Sequence, residues 1–229
     1  MNSNLTRDSM NRVQQKFVED TKSLRKLLEA TEKTVIVEVA EADLRSLKAS
    51  GYALCFAKKI GDFDYNVIWK SIHKFLSKNK FTWQPIYKLF GTNEFRDQVK
   101  VEASTNVVKI GLGEITILDG TGILSNPVTG GGIDSLNVDN EYGEIHFAVS
   151  QTSINESGEE ESAPIFVSKQ SSMIGTATFK PVEKVQIWFQ ANAETSTMFS
   201  ELRSNPMEVD LTDRNEVKIR YEDGKWSVV

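Results

Sequence analysis

The side chains best equipped for chemistry are few: two histidines, His73 and His146, one cysteine, Cys55, and a block of lysines and aromatics between Lys58 and Phe90. Nucleophilic catalysis needs a base beside its nucleophile, and the two histidines fall in different kinds of segment, so a triad drawing on Cys55 would have to be assembled by the fold. Cys55 itself stands in the apolar run Ala53-Leu54-Cys55-Phe56-Ala57, where a free thiol behaves as a small buried hydrophobe. In a strand over 144–150, His146 points opposite to Ile145 and Phe147, at an exposed or hydrogen-bonded position.

Other motifs are incomplete. Gly111-Leu112-Gly113 lacks the third glycine of a dinucleotide loop, and no Lys-Ser or Lys-Thr follows a spaced glycine pair. One cysteine and two dispersed histidines do not make a zinc motif. Asp134, Asp139, Glu141 and Glu144 could serve calcium together with backbone oxygens, but without the spacing of an EF-hand. We therefore expect no cofactor. A carboxylate pair for glycoside hydrolysis depends on separation in space, and 32 acidic residues offer too many pairs to choose from.

The lysine-aromatic block is the candidate functional surface. Between Lys58 and Phe90 seven lysines stand against Asp62 and Asp64, a net charge of +5, interleaved with eight aromatics. Lysines attract phosphates and anionic headgroups, while aromatics stack on sugars or bases or settle at a membrane interface. The candidate ligand-binding residues are Lys59, Tyr65, Trp69, Lys70, Lys74, Lys78, Lys80, Trp83 and Tyr87, with a glycan or an anionic membrane surface as partner. The block contains no arginine, which disfavours bidentate phosphate or base recognition and makes nucleic acid a weaker expectation. Strand alternation offers a competing arrangement, in which the aromatics face the core and the lysines face water.

These residues must be positioned by a largely β body. Met10, Val13, Phe17, Leu24 and Leu27 recur at heptad spacing, which predicts an amphipathic helical arm over 1–33, able to pack on the body or to join copies through residues 6–31. From Thr34 the pattern has mostly period two. Ala40 to Ser50 permits one short helix with Leu44 and Leu47 inward, and 52–59 with 65–70 reads as a hairpin. Further strands are expected at 81–89, 98–103, 106–110, 114–118, 144–150, 164–168, 176–180, 184–190, 207–211, 216–221 and 225–229. The last two join through Asp223-Gly224, which suits a tight turn. Short strands separated by Gly, Asn, Asp and Pro favour an antiparallel β-sandwich, expected as one domain over 34–229. The glycine-rich 120–134 reads as a mobile surface loop, and the acidic 155–162 as a solvated hairpin tip.

Charge divides unevenly, residues 1–90 carrying +6 and residues 91–229 carrying -11. No apolar core of signal-peptide length opens the chain, and no run approaches a helical membrane span, so synthesis in the cytosol is expected.

Tyr65-Asn66-Val67-Ile68-Trp69-Lys70-Ser71 and Phe81-Thr82-Trp83-Gln84-Pro85-Ile86-Tyr87-Lys88-Leu89-Phe90-Gly91-Thr92-Asn93 are similar to segments of uncharacterised fungal and bacterial β-rich proteins, with Ile110–Gly113 and Glu194–Phe199 contributing. The resemblance implies a β-rich fold and transfers no functional residue. Together these features favour a non-enzymatic binding protein. A pore-forming protein is the alternative, suggested by the arm and by the Val-, Ile-, Thr- and Gly-rich 105–132 segment, and a carboxylate hydrolase is the second alternative.

Overall fold

The computed structural model describes residues 32–155, 158–201 and 205–229. The helix expected over 1–33, and its use in assembly, fall outside the described residues apart from Glu32 and Lys33, the latter beginning the first strand. In chain order the elements are β1 (Lys33–Val39), α1 (Glu41–Ala49), β2 (Tyr52–Ile60), β3 (Lys70–Ile72), β4 (Lys78–Thr92), β5 (Val108–Ile110), β6 (Glu114–Leu118) and β7 (Val128–Thr129). They continue with β8 (Leu136–Asn140), β9 (His146–Ile154), β10 (Glu160–Val167), β11 (Gly175–Phe179), β12 (Pro181–Ala191), β13 (Met207–Asp210), β14 (Glu216–Glu222) and β15 (Lys225–Val228).

The described residues are mainly β, but their strands form three sheets and not all of them run antiparallel. The largest has the order β10-β9-β4-β1-β14-β15 with β5 also on β4; the others have the orders β11-β8-β6-β7 and β13-β12-β2-β3. Two pairings are parallel, β1 with β14 and β6 with β8, which corrects the expectation of purely antiparallel sheets. The first of these joins the start of the described chain to its end: Thr34-Val35-Ile36-Val37 is β-branched on both faces and fills a central position between β4 and β14. The β14–β15 turn falls at Asp223-Gly224, with φ of 51° and 73°. Asp43 of α1 accepts hydrogen bonds from both turn amides, at 2.9 and 3.3 Å, so the helix locks the final hairpin.

One apolar cluster draws on all three sheets, including Val35, Phe81 and Leu89 from the largest, Phe56, Ile187 and Phe189 from the β13-β12-β2-β3 sheet and Val138 and Phe179 from the β11-β8-β6-β7 sheet. The Phe56 and Phe81 rings stack at 4.4 Å. β2 is buried on both faces: Leu54, Phe56 and Ile60 enter this cluster, while Ala53, Cys55 and Ala57 enter a second one with Trp188 and Phe199. Cys55 is fully buried, as its apolar run predicts.

β4 is much longer than the expected 81–89, and it tolerates Pro85 in its middle by bulging. Its register with β9 shifts between Trp83 and Tyr87, so the residue without an amide hydrogen stands where the ladder is interrupted. Gln151 bridges the gap by donating to the Gln84 carbonyl at 2.9 Å.

The hairpin expected over 52–59 and 65–70 is shifted. Only Lys70–Ile72 pairs as a strand with β2. Asn66 instead donates to the Val167 carbonyl at 2.6 Å and accepts from its amide at 3.3 Å, and Val67 bridges Met198, so this stretch leaves the sheet. The strand expected over 98–103 reduces to one bridge, Lys100 to Thr197.

The expected mobile loop is tied down over much of its length. β7 pairs with β6, Asp119 accepts from the Thr121 and Ile123 amides, and Asn106 exchanges two hydrogen bonds with Leu124. Gly131 packs so tightly that an added Cβ would lie 2.1 Å from Asn137 Nδ2 and 2.7 Å from the Glu114 carbonyl oxygen. Asn137 is buried and links Glu114, Ser135 and Thr178 across the sheet. Gly131→Ala is therefore expected to lower stability by about 1–3 kcal/mol, the ordinary cost of overpacking, read as a shift in the denaturant midpoint.

Candidate functional site

Alternation along β4 separates the lysine-aromatic block into two populations. Lys78 and Lys80 face water while Phe81 turns inward, and Trp69 and Trp83 have no exposed surface. Tyr87 is 2% exposed. Trp69, Trp83 and Tyr87 are thus core residues rather than a platform for a ligand, the arrangement that period two allows and that the mixed basic-aromatic surface does not. Trp69 and Trp83 meet edge to face at 5.6 Å.

Three of the lysines converge. Lys70 and Ile72 of β3, Lys74 of the turn that follows it, Lys80 and Phe81 of β4, and Ser153, Ile154 and Asn155 at the end of β9 line a groove of about 240 Å³. It lies where β3 comes against the β4–β9 pair. Lys70 makes an ion pair with Glu161 of β10, a carboxylate supplied by the acidic hairpin tip. Hydrogen bonds from Lys70 and then Asn155 hold the Glu161 carboxyl below its ordinary value of 4.5. Lys74 and Lys80 have no carboxylate partner among the described residues. Among the described residues the groove thus presents two ammonium groups without a carboxylate partner and one paired ammonium above an apolar floor, a geometry suited to an anionic group. Glu161, Ser153 and Asn155 were absent from the sequence-derived set because the acidic tip reads as solvated; only strand pairing brings it to β3.

The remaining candidates lie elsewhere. Lys78 stands opposite Glu38 in register, where it lowers the Glu38 pKa behind the larger effect of the hydrogen bond from Lys218. Lys59 lies over the Tyr65 ring at 5.6 Å in a separate cleft of about 360 Å³. The Tyr65 hydroxyl donates to Glu208 at 3.0 Å, and burial together with this carboxylate pushes its pKa up. This cleft carries Glu201 and Glu208 as well as Lys59, so its charge is mixed.

One lysine of the block is not on the surface at all. Lys58 shares the phase of Leu54, Phe56 and Ile60 on β2, and its side chain is fully buried. It donates to Glu183 Oε2 at 2.5 Å, and Trp83 Nε1 donates to the same oxygen at 3.0 Å. Glu183 lies on β12 at the phase of Val185 and Ile187, in the stretch where register with β2 shifts. Burial pulls the Lys58 ammonium below the ordinary value of 10.5, and Glu183 opposes this only in part. The ammonium is enclosed, its carboxylate partner is partly exposed, and the pair is structural in setting.

The other expected centres hold no assembled chemistry. His146 Nδ1 donates to the Ser168 carbonyl oxygen, 2.7 Å away, while the buried Cys55 stands on β2 in a different sheet. Asp134 pairs with Lys180, and Glu144 accepts from Ser171 at 2.9 Å. Among the described residues no three His, Cys, Asp or Glu side chains group as metal ligands. Asp62 and Asp64 do line a common cleft, but both are exposed and Asp64 faces Lys169 at 3.4 Å, which leaves neither in the sheltered setting a general acid requires. Among the described residues no helix is long and apolar enough to cross a membrane. Compared with protein-family models, curated proteins and solved structures, the chain matches none.

Proposed function

We propose that the protein is a non-enzymatic binding protein whose Lys70–Lys74–Lys80 groove takes a sulfate- or phosphate-bearing ligand, from an acidic glycan or an anionic lipid headgroup. The observation that carries this reading is the convergence of three lysines on one groove, two of them free of carboxylate partners among the described residues. The frame beneath it is taken as a sandwich, with the largest sheet and the β13-β12-β2-β3 sheet facing each other across the Phe56–Phe81 contact. Lysine, a compact and strongly hydrated charge, favours electrostatic capture with marked salt dependence over shape-specific bidentate recognition.

Glu161 acts in this reading as an internal competitor. Glu161→Gln releases Lys70 and is expected to strengthen binding of a sulfated oligosaccharide by roughly threefold to tenfold, a size set by the modest worth of a partly exposed ion pair. The pH dependence follows with a definite sign. Because the Glu161 pKa is depressed, the pair with Lys70 persists above the ordinary value of 4.5 and is lost as pH falls through the lower folded value. Sulfates stay ionised there, so affinity for a sulfated probe rises on acidification in the wild type. The Gln variant lacks this rise. Titrating sulfated oligosaccharide and phosphatidylserine vesicles in parallel separates the two ligand sources, and failure of both to bind removes the proposal.

A further inference from the structure

A cleft of about 570 Å³ is separate from the lysine groove and has a different chemistry. One wall comes from the turn after β2. There Gly61 adopts φ of 48° and donates to the Lys180 carbonyl at 2.6 Å, while the Phe63 amide donates to Ile60 at 3.0 Å. This turn projects Phe63 outward. The ring is 52% exposed, yet it rests on the buried Phe166 at 5.2 Å, and Phe166 rests in turn on Phe179 at 5.9 Å. Phe63 is therefore an aromatic surface backed by core residues and open on its outer side.

Polar groups surround it. Asp62 lies beside Phe63, and Gln170 enters from the segment between β10 and β11. Neither side chain has a hydrogen-bond partner among the described residues, whereas Asp64 is occupied by Lys169 and Asn66 by the Val167 backbone. Two carboxylates against one ammonium make the cleft unsuitable for an anion. A single aromatic ring with one carboxylate already engaged falls short of the aromatic cage that a quaternary ammonium prefers. A ligand with one apolar face and a rim of hydroxyls fits all three features, since an aromatic surface takes the C–H face while a carboxylate and an amide satisfy the hydroxyls.

We propose that this cleft binds a neutral saccharide, with a pyranose ring stacked on Phe63 and its hydroxyls hydrogen-bonded to Asp62 and Gln170. The site stands independently of the anion groove.

The test is isothermal titration of the full chain with cellohexaose, maltohexaose, mannohexaose and chitohexaose at millimolar concentration. At least one is expected to bind, and Phe63→Ala is expected to weaken it by roughly tenfold, the scale of one lost stacking contact. Phe63→Trp retains binding, and Gln170→Ala weakens it several-fold. Because Phe63 is half exposed, thermal unfolding of Phe63→Ala distinguishes a lost contact from a lost fold. The Lys74→Glu, Lys80→Glu variant leaves saccharide binding unchanged, so failure of one site can be told from failure of the other. Absence of binding to all four sugars, undiminished binding by a folded Phe63→Ala protein, or tighter binding of tetramethylammonium than of any sugar overturns the proposal.

Discussion

Glu183→Ala is expected to destabilise the protein by about 3–5 kcal/mol, the cost of leaving one member of a buried ion pair behind. The size follows from the enclosure of its partner: the Lys58 side chain has no exposed surface, whereas 21% of the Glu183 side chain remains exposed. Removing the carboxylate strands the ammonium in the apolar cluster and also deprives Trp83 Nε1 of its acceptor. Against a total stability of about 5–15 kcal/mol for an ordinary domain, the loss is large enough to show in any equilibrium unfolding curve. Replacing both partners, Lys58→Met with Glu183→Gln, removes the stranded charge and keeps an acceptor for Trp83. This double variant is expected to recover most of the loss, because apolar replacement of a buried pair is often neutral.

The single variant Glu183→Ala has a characteristic pH dependence. Burial depresses the Lys58 pKa, so the unfolded chain holds its proton more firmly than the folded one, and stability rises with pH up to the ordinary value of 10.5. Loss of Glu183 removes the carboxylate that favours the charged form, which deepens the depression. Glu183→Ala should accordingly gain more stability than the wild type between neutral pH and 10.5, narrowing the difference between them. Equal slopes would mean that Lys58 finds another partner.

Reversing two charges of the groove, Lys74→Glu with Lys80→Glu, is expected to weaken binding of a sulfated oligosaccharide by about a hundredfold at low salt. Each substitution removes an attraction and adds a repulsion, and the two act on the same small groove. Both residues are exposed, so their substitution leaves the apolar clusters untouched and stability close to that of the wild type. Salt separates this effect from misfolding: the wild type should lose affinity steeply as ionic strength rises, and the reversed variant should not.

Much of the β character was legible because the strands obey period two. Thr34–Val39, Glu114–Leu118, Val185–Phe189 and the Asp223-Gly224 hairpin follow from β-branched alternation and turn chemistry alone. β8 was missed because Leu136-Asn137-Val138-Asp139-Asn140 carries residues depleted in strands; its Asn137 and Asn140 are buried and hydrogen-bonded within the fold. The parallel β1–β14 pairing, with nearly the whole described chain between its strands, leaves no local trace. Lys58 was the most readable omission. The series Leu54, Phe56, Lys58, Ile60 places it in phase with the core, and Glu183 has the same relation to Val185 and Ile187, so two charges in apolar phase are a signal for a buried pair. At the groove, Lys70, Lys74 and Lys80 could be named from composition. Their union with Ser153, Asn155 and Glu161 depends on the β9–β10 hairpin lying against β3, which is a property of the fold.

The most direct test is a calorimetric titration of a sulfated heparin-type oligosaccharide into the wild type and into the Lys74→Glu, Lys80→Glu variant, each at low and at physiological salt. Binding by the wild type that weakens with salt and disappears in the folded variant is the predicted result. Equal affinity of the two proteins, or no binding by the wild type to this oligosaccharide or to phosphatidylserine vesicles, would contradict the assignment of the groove.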